Sequence, residues 1–95
     1  MVRYKARECY IHRKMENDDF LIPVGRQIIK KNGLILMNET AAFLWNEIQT
    51  EKTVGELCKA LSEDYGLECE DVADDVMKFI DDMLSLDAIE RIEYA

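Results

Sequence analysis

The sequence is poor in the residues from which most active sites are assembled. Its 95 residues include one histidine, His12, one proline, Pro23, and four glycines. A single histidine argues against a metal site, and no serine or cysteine is set beside it by a recognisable nucleophile motif. A Gly-rich phosphate loop is also missing. Neither a catalytic residue, nor a metal ligand, nor a cofactor is therefore expected. The three cysteines, Cys9, Cys58 and Cys69, leave one unpaired however they are matched, and none forms a CxxC clip. They read as small buried hydrophobes or as incidental. No apolar run reaches the length of a membrane span, and the opening MVRYKARECY has no apolar stretch for a secretory signal, so the cytoplasm is the expected compartment. Basic residues are outnumbered 12 to 20 by acidic ones, for a net charge of −8. That balance repels nucleic acid and anionic membranes alike, so partners should be neutral or basic.

What is present reads as one α+β domain over residues 1–95. Hydrophobic residues make up 48% and charged residues 34%, a globular balance. A chain this long buries roughly 60 to 65% of its unfolded surface, enough to fold without staples. Residues 8–25 read as a hairpin: Tyr10 and His12, then Phe20, Ile22 and Val24, alternate on either side of the polar stretch Glu16 to Asp19. Pro23 removes a ladder donor, so its strand should lie at an edge or end early. Lys30-Lys31-Asn32-Gly33 has the chemistry of a tight turn into a third strand, Leu34 to Met37.

Three helices should follow. The first runs from about Glu39 to Gln49, capped by Asn38, with Trp45 as a core anchor. Thr53 and Glu56 have the spacing of a capping box for the second, whose stripe of Val54, Leu57, Cys58, Leu61 and Tyr65 stops at Gly66. The third, from about Asp71 to Leu86, has acidic first turns, where the helix dipole favours them. It carries two apolar rows. Val72, Val76, Phe79 and Met83 form one; Ala73, Met77, Ile80 and Leu84 form the other. The second row either widens the core contact or serves a second neighbour. Residues 89–94 are consistent with a short terminal strand.

Several functions can be weighed against this outline. An acyl carrier protein needs a serine following an aspartate, whereas Ser62 and Ser85 each follow leucine. Strands followed by three helices also fit a winged helix-turn-helix, but a DNA reader needs cationic or amide side chains on its last helix. This one offers Asp71, Asp74, Asp75, Asp81 and Asp82 against Lys78. What remains is peptide binding. A free edge on the third strand could accept an extended peptide by strand addition, with the last helix as a wall and its acidic flank attracting basic residues.

Three motifs then resemble one family. They are Leu36-Met37-Asn38-Glu39-Thr40-Ala41-Ala42-Phe43-Leu44-Trp45, Thr53-Val54-Gly55-Glu56-Leu57, and Val72-Ala73-Asp74-Asp75-Val76-Met77-Lys78-Phe79-Ile80. In this order and spacing they resemble the PqqD family, leader-peptide-binding proteins (RiPP recognition elements) that assist the modification of ribosomally made precursor peptides. The resemblance covers about residues 8–92. It departs from the family pattern at two turns, with Thr50-Glu51-Lys52 for an Asp-Gly and Asp87-Ala88 for a Gly-Leu.

The resemblance implies a winged helix-turn-helix-like domain of three N-terminal strands and three helices, with the precursor's leader docked as a strand beside the third strand. Carried over by position, the strand side of the site is Gly33, Leu34, Ile35, Leu36 and Met37. The helix side is Asp74, Asp75, Met77, Lys78, Ile80, Asp81 and Leu84, with Asp75 open to a structural role bonding a nearby amide. The implied partners are the precursor peptide and a separate maturation enzyme, in the family often a radical S-adenosylmethionine enzyme. A free strand edge also invites self-pairing, so a homodimer is a further expectation. The alternative is a winged-helix module that binds another protein through its acidic helix and takes no leader peptide.

Overall fold

The structure, a computed structural model, describes residues 1–25 and 34–94. The expected turn at residues 30–33, Gly33 included, lies outside the described residues. Four strands come first: β1 (Val2–Ala6), β2 (Tyr10–Met15), β3 (Asp18–Pro23) and β4 (Ile35–Met37). Helices α1 (Glu39–Glu47), α2 (Val54–Tyr65) and α3 (Cys69–Ser85) follow, and β5 (Ile89–Glu93) ends the chain. This is the α+β order, strands and then three helices, expected from the sequence.

Strands β2, β3 and β4 form an antiparallel sheet in that order, and β1 pairs with β5 in a second, two-stranded sheet. The first strand was not foreseen, although Val2, Tyr4 and Ala6 alternate with Arg3 and Lys5 along it. β1 is held on both sides. Val2 to Ala6 pair with Glu93 to Ile89, while Tyr4 exchanges backbone bonds of 2.8 and 2.9 Å with Lys52.

The β2–β3 hairpin turns on two residues, Glu16 and Asn17, between the paired Met15 and Asp18. Glu16 takes a φ of 58°, a conformation few side chains adopt. β3 does end at Pro23, as its missing donor requires, but it is the central strand and not an edge. Its buried residues are Leu21 and Pro23, with Phe20, Ile22 and Val24 only half-buried, so the inward face is one residue out of phase with the apolar alternation.

The core joins the sheet to all three helices through Leu21, Leu44, Trp45, Ile48, Leu57, Leu61, Val76 and Ile80, each at most 3% exposed. The helix ends follow their local chemistry. Thr53 and Glu56 form the reciprocal capping box, with bonds of 2.9 and 3.1 Å. The Thr53 amide, donating to Glu56, holds its carboxyl below the usual glutamate value, with smaller help from Arg3 and Lys52. Gly66 closes α2 in the left-handed region. α3 starts two residues before the expected Asp71, with Glu70 and Asp71 in its first turn.

The end of α3 explains one departure from the family pattern. Asp87 sits at φ 59°, where glycine has no steric cost, and the turn is closed by Asp87 N–H to Leu84 and Ala88 N–H to Met83, at 3.0 and 2.9 Å. An aspartate is thus held where the backbone favours glycine, and its exposed 3.6 Å ion pair with Arg7 offsets little of that cost. Asp87→Gly should raise stability by about 0.5 to 1 kcal/mol in urea denaturation. A pH prediction follows from Glu56. Its depressed carboxyl stabilises the fold above the ordinary value of 4.5, and that contribution is lost as pH falls through the folded value. Glu56→Gln should therefore lower stability at neutral pH and flatten its decline in urea titrations below pH 4.5.

Candidate functional site

The three-stranded sheet has two edges, and their chemistry differs. β2 exposes Arg13 and Lys14, charges of the kind that guard an edge against pairing. β4 carries only Ile35, Leu36 and Met37, preceded by Leu34. Leu34 and Leu36 are 52% and 63% exposed on the outer face of the sheet, while Met37 is buried and Ile35 half-buried on the inner face. Among the described residues, β4 pairs with β3 alone. Its other edge is apolar and, among the described residues, open.

One residue sets where that edge stops. β4 ends at Met37, and the Asn38 side chain accepts from the Ala41 amide at 2.8 Å to begin α1. Asn38 is extended, with φ −78° and ψ 174°, so strand geometry runs to the cap itself. A loop between the two would have let the strand swing; here its direction is locked to the helix.

A hollow of about 420 Å3 lies between this edge and α3. Ile35, Leu36, Met37 and Ala41 line one side, and Met83, Ser85 and Leu86 the other. A narrower hollow of about 90 Å3 shares Asn38, Ala41, Lys78, Asp82 and Met83 with it and adds Thr40, Asp75 and Phe79. Together they form one groove along β4 and the start of α1. Its far end is anchored by the Tyr10 hydroxyl, which donates to the Leu86 carbonyl at 3.1 Å and ties α3 to β2. On the rim, Lys78 donates to Asp82 at 2.8 Å, and that carboxylate holds the lysine above its usual value. Asp75 makes no hydrogen bond or ion pair among the described residues, so the structural role left open for it is not seen there.

The expected site residues divide accordingly. Ile35, Leu36 and Met37 line the groove; Leu34 is exposed beside it. Asp75 and Lys78 reach it from α3. Asp74, Met77, Ile80, Asp81 and Leu84 line neither hollow: Ile80 is in the core, Met77 and Leu84 are 43% and 38% exposed, and both aspartates are exposed. The helix presents its 75-78-82-85 flank to β4, so Asp82, Met83, Ser85 and Leu86, which the sequence reading did not name, line the hollows as well. Lys78, the one cation within α3, lies on that flank.

Other candidate chemistry is accounted for by packing. His12 contacts Asp19 at 2.8 Å and Asn46 at 3.3 Å, joining β2, β3 and α1. Burial, and then the nearby Cys69, push the Cys58 thiol up, away from the reactive thiolate form. Among the described residues no three His, Cys, Asp or Glu side chains gather as a metal site. A larger hollow of about 700 Å3 between the two sheets is lined by Ala6, Cys9, Tyr10 and Ile11 together with the charged Lys5, Arg7, Glu8 and Glu90, and lies away from the open edge of β4.

A family model described as Coenzyme PQQ synthesis protein D (PqqD) matches residues 24–89. The chain belongs to the PqqD family. The family is one of small, non-catalytic accessory proteins associated with the enzymes of coenzyme PQQ synthesis. The match spans all three motifs of the earlier resemblance and is narrower than its range of 8–92, leaving out β1 and the β2–β3 hairpin. Comparison with curated proteins and with solved structures gave no match. Among the described residues, no helix is long and apolar enough to cross a membrane.

The junction yields a direct test. Asn38→Ala should cost about 1 kcal/mol in urea denaturation, and amide exchange should quicken at residues 39–41 while α2 is unaffected.

Proposed function

We propose that this chain binds the leader segment of a ribosomally made precursor peptide by strand addition along β4 and presents it to a separate maturation enzyme. One observation supports this reading above others: the sheet's unguarded apolar edge faces a helix-walled groove, whereas its opposite edge carries charges. Family membership agrees with a role as an accessory to synthesis.

The size of β4 determines how such a site would work. Three residues offer only one or two outward ladder donors, each worth about 0.5 to 1.5 kcal/mol net. A micromolar complex requires about 8 kcal/mol. Most of the affinity must therefore come from side chains seated in the groove. The mechanism is delivery: a tethered precursor reaches an effective concentration near the enzyme in about the millimolar range, with no new contact to the reacting residues. A radical S-adenosylmethionine enzyme fits the partner role implied by the family resemblance, and the cytoplasm fits as its compartment. The open edge also permits pairing between two copies of the chain.

The alternative module, which binds a protein through the acidic helix and takes no leader, has one observation in its favour. Met77 and Leu84 are exposed on the flank of α3 turned away from the groove.

Titration with the leader segment of a precursor encoded beside this protein separates the two readings, since the alternative module should not respond. Binding near 1 µM, about −8 kcal/mol, is expected. Along a strand, N–H groups point alternately to either side, so of Ile35→Pro and Leu36→Pro one removes a bond to β3 and the other removes a donor to the guest. The second of these should weaken binding about two- to twelvefold, the worth of one ladder bond, while circular dichroism and melting stay close to the parent. Unchanged leader affinity in both folded variants would place the binding surface elsewhere.

A further inference from the structure

The groove is not uniformly apolar, and its charges are arranged unevenly. At the wide end Ile35, Leu36 and Leu86 give an apolar surface; at the narrow end Asp75 lines the hollow with Thr40 and Phe79. Lys78, the cation on the rim, is already held by Asp82 at 2.8 Å. Asp75 has no such partner among the described residues, and the chain around it carries a net charge of −8. A guest carboxylate would meet Asp75, and would have to displace Asp82 to reach Lys78. A guest ammonium or guanidinium would meet an open carboxylate, with Thr40 and Ala41 along the hollow for its aliphatic stem.

The lengths fix a spacing. From Asp75 to Met83 the helix rises about 12 Å, and to Leu86 about 16 Å. An extended guest advances about 3.3 Å per residue, and only residues an even number apart face the same side. Two positions span about 7 Å, too short; four span about 13 Å, which joins the narrow end to the wide one.

We propose that the groove selects peptides carrying a large apolar residue and a lysine or arginine four positions away, with Asp75 as the determinant of the basic position. The inference rests on the strand-addition reading above and adds the ligand's charge and register to it. On the other face of an added strand, guest side chains would lie beside the exposed Leu34 and Leu36, so at least one intervening residue should be apolar as well.

The test is selection of displayed random twelve-residue peptides on the full chain, repeated on Asp75→Lys, Asp75→Asn and Met83→Asp. For the parent, basic residues should be enriched about three- to fivefold at the fourth position from the apolar anchor, the effect of one half-exposed ion pair. Asp75→Lys should move the preference to Asp and Glu at that position, and Asp75→Asn should erase it. Which side of the anchor the basic residue falls on reports the direction of the guest strand. If Met83→Asp stops peptide capture but the parent shows no basic preference, or if the preference survives Asp75→Lys, the charge assignment is wrong and the groove reading stands. If peptides are captured equally by parent and Met83→Asp, or by neither, the groove reading fails and the inference falls with it. Asp75 is exposed, so both of its variants should fold; Met83 is buried, so Leu36→Asp, at an exposed position lining the same hollow, takes its place in these comparisons if melting curves show the Met83 variant unfolded.

Discussion

The geometry of the groove depends on the chain's passing from strand to helix at one residue. Asn38 keeps an extended backbone while its side chain satisfies a first-turn amide of α1, so β4 and α1 share a rigid joint. Because α1 is packed through Ala42, Leu44 and Trp45, the direction of β4 is set by the core and not by its own short ladder. The same joint places Thr40 and Ala41 at the narrow end of the groove. The opposite wall is fixed from its other end, where the Leu86 carbonyl is held by Tyr10 and the Asp87-Ala88 turn sends the chain into β5. Two walls set by different parts of the core leave a gap between them that neither wall closes.

The edge beside that gap is unusual for a chain that must remain dispersed. Exposed apolar strand edges template further pairing, and proteins blunt them with charge, proline or brevity. β2 is protected by charge; among the described residues β4 has only its brevity, at three residues. A short edge gives little energy to indiscriminate strand pairing and would still fix the register of the proposed guest, whose side chains would seat in the hollows. The net charge of −8 works in the same direction, since it opposes association between copies while leaving a basic guest attracted.

Much of this was legible in the sequence where local chemistry decides the outcome. The Asn38 cap, the Thr53–Glu56 box and the Gly66 stop each depend on a few neighbouring residues, and each is present. The sequence was ambiguous where both faces of an element are apolar. In β3, Phe20 and Ile22 alternate with Leu21 and Pro23, so hydrophobicity could not choose the inward face; packing chose the second pair. In α3, two apolar rows flank one another, and the sequence could not tell which flank lay toward β4. Ile80 joined the core while Met77 and Leu84 stayed exposed, and the groove took the more polar flank of Asp75, Lys78 and Asp82. β1 was passed over for a different reason. Its alternation is plain, but its partner β5 lies at the far end of the sequence, and pairing across such a separation leaves no local mark.

The shallowness of the groove bears on the proposed role of delivery. A protein that hands a precursor to an enzyme must let go on the timescale of turnover, and a ladder of three residues with two modest hollows suits that need. At a micromolar dissociation constant and an ordinary association rate of about 10^5 to 10^7 M^−1 s^−1, release takes about 0.1 to 10 s. Enzyme turnover commonly falls at about 1 to 1,000 per second. A longer edge would add ladder bonds of about 1 kcal/mol each, and two of them would slow release roughly thirtyfold, to seconds or minutes. The brevity that protects β4 from stray pairing therefore also keeps a guest exchangeable, and both follow from Asn38 ending the strand at Met37.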